Sequence, residues 1–191
     1  MRRSKQATAE TRERIVATAA AEFRRGGLSL GLAEVMAAAE LTHGGFYRHF
    51  GSKDQLVAEA FAAALEGMTD RLAARAAEVP GRAGVQEIVA RYLSAGHRDD
   101  AAGGCPLTAL GSELARADGD VRAAATAGLR RMVGIIAGLL AEGGGEAAEQ
   151  RALAIVATMI GALTMARVVT DGALSAAILD AAVAGIGGGL D

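Results

Sequence analysis

Residues 41–56, LTHGGFYRHFGSKDQL, have a composition unlike that of the rest of the chain. The stretch holds three of the six aromatic residues and two of the three histidines, so it differs from the alanine-rich sequence around it. Two adjacent glycines, Gly44 and Gly45, interrupt what is otherwise the pattern of a short helix. Each glycine inside a helix costs roughly 1 kcal/mol relative to alanine. The pair therefore indicates a need for close backbone approach, either to a partner or to a neighbouring helix.

Helix signals precede this stretch. The sequence TRERIVATAAAEFRRGG places an apolar residue at every fourth position from Ile15 to Phe23, and two glycines then end the helix. A short helix is predicted over about residues 31–39. After a tight turn, a second short helix follows Thr42, which is a good N-cap. Two short helices joined by a turn predict a helix-turn-helix motif over residues 31–50.

The sequence after the stretch predicts a helical body. Ser52 and Gln55 have the spacing of a capping box, and they begin a long helix that Pro80 and Gly81 end. Further helices are predicted over about 83–96, 106–117, 120–142, 146–170 and 173–186, with separators that include 97–104 and the glycines 143–145. The segment 152–166 is apolar on nearly all sides but shorter than the about 20 residues of a membrane span. We expect this helix to be buried on all sides. The side that its own chain leaves exposed would most easily be buried by another subunit.

The composition and charge of the chain limit its partners. Hydrophobic residues make up 51% of the chain and only two residues are proline, which favours helices. Residues 1–60 carry nine basic and seven acidic residues, a net charge of +2, whereas residues 61–191 carry eleven and fifteen, a net charge of −4. An anionic partner is therefore expected for the first third only, although the basic arm of Arg2, Arg3 and Lys5 can also be a solubilising tail. The apolar core of a signal peptide is lacking in residues 1–20, so we expect a cytoplasmic protein.

Catalysis, metal binding and cofactor binding are not predicted. A single cysteine excludes an intrachain disulfide, and there is no cluster of cysteines and histidines for zinc. No arrangement of nucleophile, base and acid can be argued from the sequence. We therefore expect that the chain is not an enzyme and needs neither metal nor cofactor.

The helix-turn-helix motif predicts contact with DNA. The second helix of such a motif enters the major groove, and its first residues contact base edges. In this chain those first residues are Thr42, His43, Gly44 and Gly45. Glycine lets the backbone approach the duplex, so that amide groups reach phosphate oxygens. Tyr47 and Lys53 are suited to further phosphate contacts. The alternative is that the glycines only permit tight helix packing and that the aromatic residues belong to the core.

Residues 11–61 resemble the amino-terminal domain of the TetR (tetracycline repressor-type) family of transcriptional regulators. The resemblance is carried by RERIVATAAAEF, by GLAEVMAAAELTHGGFYRHF and by GSKDQLVAEAF, and it covers about a third of the chain. Gly31-Leu32 stands where family members commonly have threonines, and Gly45 replaces a frequent threonine. The remaining sequence resembles the family in length, helical content and apolar final helices.

The resemblance implies an all-α homodimer of about nine helices. A three-helix DNA-binding head (residues 1–51) would be joined to a helical ligand-binding and dimerisation body (residues 52–191), with the last two helices forming the interface. The implied activity is that of a repressor released from a palindromic operator by a small molecule; activation remains an alternative. The implied DNA contacts are Thr42, His43, Gly44, Gly45, Tyr47, His49 and Lys53.

The body is expected to hold a small, largely apolar effector. Methionines and a few polar side chains suit an apolar pocket with polar anchors, although methionines at helical spacing are also common core residues. The predicted pocket residues are Met68, Tyr92, His97, Cys105, Met132, Thr158 and Met159. Because proline favours the first position of a helix, Cys105 should be an N-cap, where the helix dipole favours thiolate. A redox or electrophile sensor at Cys105 is therefore an alternative to an inert buried thiol.

Overall fold

The computed structural model describes residues 2–140 and 145–190, and this part of the chain is helical without any strand. The elements in chain order are α1 (Arg2–Gly26), α2 (Leu32–Ala38), the 3-10 helix η1 (His43–Arg48), α3 (Lys53–Glu78), α4 (Gly81–Tyr92), α5 (Ala95–Asp99), α6 (Pro106–Leu114), α7 (Gly119–Leu140), α8 (Glu146–Val168) and α9 (Gly172–Gly188). The predicted all-α fold class is confirmed. The predicted basic arm is part of α1, which begins at Arg2.

Helices α1 and α2 and the 3-10 helix η1 pack together as the head. Their shared core contains Ile15, Phe23, Val35, Met36, Phe46 and Phe50, all buried. The rings of Phe46 and Phe50 stack with their centroids 5.5 Å apart, which holds η1 against its neighbours. The predicted second short helix is therefore present. It is a 3-10 turn rather than an α-helix, a form used for short pieces, because two glycines lower its α-helical propensity.

The predicted cap residues stand at helix starts, but only one caps through its hydroxyl. The Ser52 hydroxyl accepts a hydrogen bond from the Gln55 backbone N–H at 3.1 Å. The Gln55 side chain in turn accepts from the N–H of Gly51 at 2.8 Å, one residue earlier than in a standard capping box. Thr42 is the residue before η1, but its hydroxyl accepts no capping hydrogen bond. The Thr42 side chain is therefore not used in starting η1.

Helix α3 connects the head to the body. It packs against α1 at its start and against α7 along its length, and α8 lies between α7 and α9. The predicted helix over 83–96 is wrong at its end, because α4 stops at Tyr92 and α5 covers part of the predicted separator 97–104. The Ser94 hydroxyl accepts from the His97 N–H at 3.2 Å, which starts α5. The predicted break at 143–145 lies mostly outside the described residues.

Helix α8 is buried on one side only, so the expectation of burial all round is not met within one chain. Its buried residues are Ala152, Ile155, Val156, Met159, Ala162, Leu163 and Ala166, while Leu153 and Met165 on other sides are exposed. Helices α7 and α8 are long and apolar enough to span a membrane by length and composition alone. Here both pack within the helical body, and core helices of soluble proteins meet the same criterion.

Candidate nucleic-acid interface and body cavity

The 3-10 helix η1 has one buried and one exposed side. Phe46 is fully buried, whereas the neighbouring Tyr47 is 66% exposed and His43 and Gly44 also face solvent. The rings of Tyr47 and Phe46 pack edge to face with their centroids 5.1 Å apart, and this contact restricts the position of the exposed Tyr47 ring. The arrangement leaves the residues predicted to contact DNA at the surface of the head.

The space around Gly44 and Gly45 shows whether packing within the chain requires them. A Cβ atom added at Gly44 would meet no atom within 4 Å, and one at Gly45 would meet only the Thr42 hydroxyl at 3.6 Å, an ordinary contact. Neither glycine has a positive φ. Tight packing within the chain therefore does not require these glycines. The open space is compatible with the other explanation, close approach of the η1 backbone to a partner outside the chain.

Of the two remaining predicted DNA contacts, Lys53 is hydrogen-bonded within the head, whereas the buried nitrogen of His49 is not. The Lys53 ammonium donates to the Leu28 carbonyl oxygen at 2.7 Å and lies 6.0 Å from the Phe23 ring centroid. His49 is half-buried, and its buried Nδ1 has no hydrogen-bond partner among the described residues. Arg48, which the sequence analysis did not name, is exposed beside Tyr47. Its positive charge within η1 was the signal that could have identified it.

A cavity of about 630 Å³ lies in the body between α3, α4 and the segment 94–105. Four of the seven predicted pocket residues line it, namely Met68, Tyr92, His97 and Cys105. Met132 and Met159 do not, because they are buried in the core, and Thr158 is exposed on α8. A second space of about 680 Å³, an open groove between α7 and the start of α8, contains none of the seven.

The floor of this body cavity has a fixed hydrogen-bond arrangement. The Cys105 backbone N–H can only donate, and it lies 2.9 Å from His97 Nε2. His97 Nε2 is therefore an acceptor, and the proton is on Nδ1, which donates to the Tyr92 carbonyl oxygen at 2.7 Å. Burial lowers the pKa of His97, which keeps the ring neutral. The imidazole therefore holds the segment 97–105 in place and brings no charge to the cavity.

Tyr92 and Cys105 are buried at the inner wall of the cavity. The Tyr92 hydroxyl lies 2.9 Å from the Thr108 hydroxyl, and burial, with the neighbouring Cys105, raises the pKa of Tyr92. Cys105 is the N-cap residue of α6 and Pro106 begins the helix, as predicted. The Cys105 residue is fully buried. It is thus a cavity-wall residue rather than a surface thiol.

Three arginines that the sequence analysis did not name also line the cavity. Arg71 and Arg75 come from α3 and Arg91 from α4. The available signal was their spacing, because Arg71 and Arg75 follow Met68 and Leu72 at intervals of three or four along α3 and so share their face. The cavity is therefore more cationic than the expected apolar pocket with sparse polar anchors.

Comparison with known proteins places the chain in a family. Residues 15–60 match the family described as bacterial regulatory proteins, tetR family, and residues 81–182 match the tetracyclin repressor-like C-terminal domain. The chain belongs to the TetR family of transcriptional regulators. Regulators of this family bind DNA and form dimers, so the head is a DNA-binding helix-turn-helix domain. No curated protein matches the chain significantly in sequence.

Solved structures, two of them of TetR-family regulators, share the whole fold. A regulator from Chloroflexus aurantiacus is 30% identical, with 96% of this chain and 95% of that chain covered and a TM-score of 0.80. SCO4454 from Streptomyces coelicolor is 25% identical, with coverage of 100% and 96% and a TM-score of 0.75. The reduced form of NemR from E. coli is 24% identical, with coverage of 93% and 95% and a TM-score of 0.81.

In this TetR-family regulator the cavity wall contacts the head. Arg24 of α1 donates to the Ala102 carbonyl oxygen in the wall segment 94–105. Helix α6 starts at the cavity with Cys105, and near its other end the Glu113 carboxylate accepts from the Leu28 backbone N–H at 2.7 Å. The same α6 thus connects the cavity to the link between α1 and α2.

The cavity wall also contacts α8. The Arg167 guanidinium donates to the carbonyl oxygens of His97 at 2.7 Å and Arg98 at 2.9 Å. These bonds use carbonyls at the end of α5, where a cation also suits the helix dipole. A change in the segment 94–105 would therefore act on α1, α6 and α8.

Proposed function

We propose that this chain is a repressor that binds a palindromic operator as a homodimer and leaves it when a small molecule occupies the body cavity. The observation that carries the DNA part is the open space over Gly44 and Gly45 on the exposed side of η1. The proposed DNA contacts are Thr42, His43, Gly44, Gly45, Tyr47, His49 and Lys53. A regulator of chromosomal DNA in a bacterium works in the cytoplasm, which is its proposed location.

Exposed apolar side chains support the position of the dimer interface. Among residues 2–140 and 145–190, the large apolar side chains that are exposed comprise Tyr47 on η1 and four others, Leu153, Met165, Val168 and Leu174, on α8 and α9. Burying a side chain of this size stabilises by about 1.5–3 kcal/mol, so a second copy placed here gains substantially. Two copies related by a twofold axis would use the same surface.

The contacts of the cavity wall support the response to a ligand. A molecule in the cavity touches the segment 94–105, which is bonded to α1 through Arg24 and continues into α6. If the molecule binds one spacing of the two heads better than another, it shifts the equilibrium by that difference in affinity. The body cavity is therefore the proposed effector site, with Met68, Tyr92, His97 and Cys105 in its wall.

Binding to the DNA upstream of the gene tests the proposal. We expect the affinity, measured by fluorescence anisotropy, to be high at about 50 mM salt and to fall as salt rises, because lysines and arginines displace counterions from phosphates. No binding at low salt, or binding independent of salt, would contradict it. A reporter gene in a deletion strain then distinguishes repression from activation.

The oligomeric state is tested by a charge on the exposed α8 surface. Val168 is 74% exposed, so Val168→Asp should leave the fold of one chain intact. We expect light scattering after size exclusion to show a dimer for the wild type and a monomer for the variant. Thr126→Ala, exposed on α7, is the matched control and should stay dimeric. A wild-type monomer contradicts the proposed homodimer.

A second candidate is a redox or electrophile sensor at Cys105. The observation in its favour is that Cys105, although fully buried, belongs to the lining of the cavity at the N-cap of α6. Replacement by serine, Cys105→Ser, distinguishes the two candidates. Release of operator DNA by oxidants should persist in the variant if Cys105 is inert, and it should disappear if Cys105 is the sensor.

A further inference from the structure

The charges of the body cavity identify the chemical class of its ligand. We propose that the effector is an organic acid, a carboxylate with an apolar body, whose carboxylate is bound by Arg71 and Arg91 while its apolar part lies on Met68, Leu72 and Ile88. This inference rests on the proposed function, in which the cavity is the effector site. It replaces the expected neutral, largely apolar molecule with an amphipathic anion.

Two of the three cavity arginines have free guanidinium groups. Arg71 and Arg91 make no hydrogen bond or ion pair with any of the described residues. Arg75 differs, because Glu78 and Glu87 neutralise it. Its Nε is nevertheless buried without a hydrogen-bond partner among those residues. Buried donors are rarely left without an acceptor, so this Nε is a further donor for a bound oxygen.

The two unpaired arginines face one cavity from different helices. Arg71 lies on α3 and Arg91 on α4, and like charges that face the same cavity repel each other, whereas Arg75 is already neutralised by Glu78 and Glu87. Neutral side chains at positions 71 and 91 would not weaken the packing, because Arg71 and Arg91 are exposed. A bound anion would relieve this repulsion and accept paired hydrogen bonds from a guanidinium.

The lining remains positive when its other titratable groups are counted. His97 is held neutral by its two hydrogen bonds. Glu78 is paired with Arg75, and Asp100 accepts from the Gly103 N–H at 2.8 Å, a bond that leaves its carboxylate charge in the lining. The lining holds three arginines and two carboxylates, so its net charge is +1, and Arg71 and Arg91 are the arginines without an ion pair.

The apolar part of the lining decides what kind of anion fits. Met68 and Ile88 are buried in the inner wall, and Leu72 lies beside them. The cavity of about 630 Å³ falls within the range of small-molecule sites, about 300–1,000 Å³. A lining that combines apolar side chains with unpaired guanidinium groups matches a molecule that carries a carboxylate on an apolar body.

Binding of two acids and their neutral amides tests the inference. Octanoate and 4-phenylbutyrate are titrated calorimetrically into the purified full-length protein, in parallel with octanamide and 4-phenylbutyramide. We expect at least one acid to bind at least tenfold more tightly than its amide, and its affinity to fall as salt rises because screening weakens the charge interaction. Equal binding of acid and amide, or no binding of either acid, would overturn the inference.

A double variant tests which residues bind the acid. In Arg71→Met/Arg91→Met we expect the affinity for the acid to fall at least tenfold, while the far-ultraviolet circular dichroism stays that of the wild type. Arg122→Met removes an exposed arginine of α7 outside the cavity and should bind the acid like the wild type. Unchanged affinity in the double variant would show that other groups bind the acid and would contradict the inference.

Operator release in the same proteins distinguishes this inference from the proposed function. If a neutral compound releases DNA from the wild type and from the double variant with equal potency, the proposed function stands and the anion inference is wrong. If the wild type does not bind operator DNA at all, the proposed function is wrong, while acid binding that depends on Arg71 and Arg91 still supports the anion site.

Discussion

Replacing Gly44 with alanine should stabilise the protein and weaken its binding to DNA. The added methyl group meets no atom within 4 Å, and the backbone at Gly44 has no positive φ, so alanine fits without strain. Gly→Ala at such a site stabilises by about 0.4–1 kcal/mol, because the unfolded chain loses freedom. For a domain of this size, the melting temperature should rise by about 1–4 °C.

If η1 binds DNA as proposed, the same methyl group lies in the space that the DNA backbone or a base edge occupies. Losing one well-formed contact of this kind lowers the affinity by about 1–3 kcal/mol, which corresponds to roughly 5- to 150-fold. The assay is fluorescence anisotropy with operator DNA, alongside thermal unfolding of the same preparation. Gly44→Ala should therefore move stability and affinity in opposite directions.

Gly111→Ala is the matched control for this prediction. Gly111 is exposed on α6, and a Cβ atom there also meets nothing within 4 Å. We expect the control to be stabilised by a similar amount with unchanged DNA affinity. If Gly44→Ala binds operator DNA as tightly as the wild type, the glycine does not provide backbone access and the reasoning is wrong. A loss of stability would equally refute the description of the site.

The remaining predictions concern the contacts of the head and the cavity wall. Glu113→Ala removes the acceptor of the Leu28 N–H, so the drop in operator affinity that the effector causes should become at least about fivefold smaller. The control Ser112→Ala should respond to the effector like the wild type. A wild-type response in Glu113→Ala would contradict the role of α6. Burial lowers the pKa of His97 in the folded protein, so His97 of the unfolded chain is protonated at a higher pH than His97 of the folded chain. As the pH falls below about 6.5, the free energy of unfolding should therefore drop by up to about 1.4 kcal/mol per pH unit. Thermal melts of His97→Gln between about pH 5.5 and 7 should show a smaller slope, and an unchanged slope would assign the effect to other groups. Lys53→Met removes the donor to the Leu28 carbonyl, so it should lower the melting temperature as well as DNA affinity; an unchanged melting temperature would show that this bond is not stabilising.

Local signals in the sequence were sufficient for the head. The capping pattern at Ser52, the turn before Thr42 and the four-residue spacing of Phe46 and Phe50 depend on neighbouring residues only, and the helices that follow Thr42 and Ser52 start where they were predicted. Helix α1 begins earlier than predicted, because it includes the basic arm. The 3-10 form of η1 was not predicted, although its short length and its two glycines are visible in the sequence. Helix α5 was missed for a local reason, since its N-cap Ser94 was placed inside the predicted helix 83–96 and residues 97–104 were interpreted as a separator.

The cavity was predicted only in part, because it is formed by elements distant in the sequence. Met68, Tyr92, His97 and Cys105 line it, but Met132 and Met159 are equally apolar and belong to the core. Which face of a helix meets a cavity depends on how neighbouring helices pack, and the spacing of apolar residues does not distinguish core from pocket. The arginines were missed for the same reason, since a charged residue on α3 is normally assigned to solvent.

The most direct test of the account is a methylation-protection experiment on the upstream DNA with the purified protein. We expect protected guanines in the major groove in two half-sites whose centres are about 34 Å apart, one turn of DNA, with protection reduced in Tyr47→Ala. Tyr47 is suited to this test because it is largely exposed and its removal leaves the buried Phe46 in place. Protection in a single half-site, or protection that Tyr47→Ala leaves unchanged, would contradict the claim that η1 binds the major groove in a dimer.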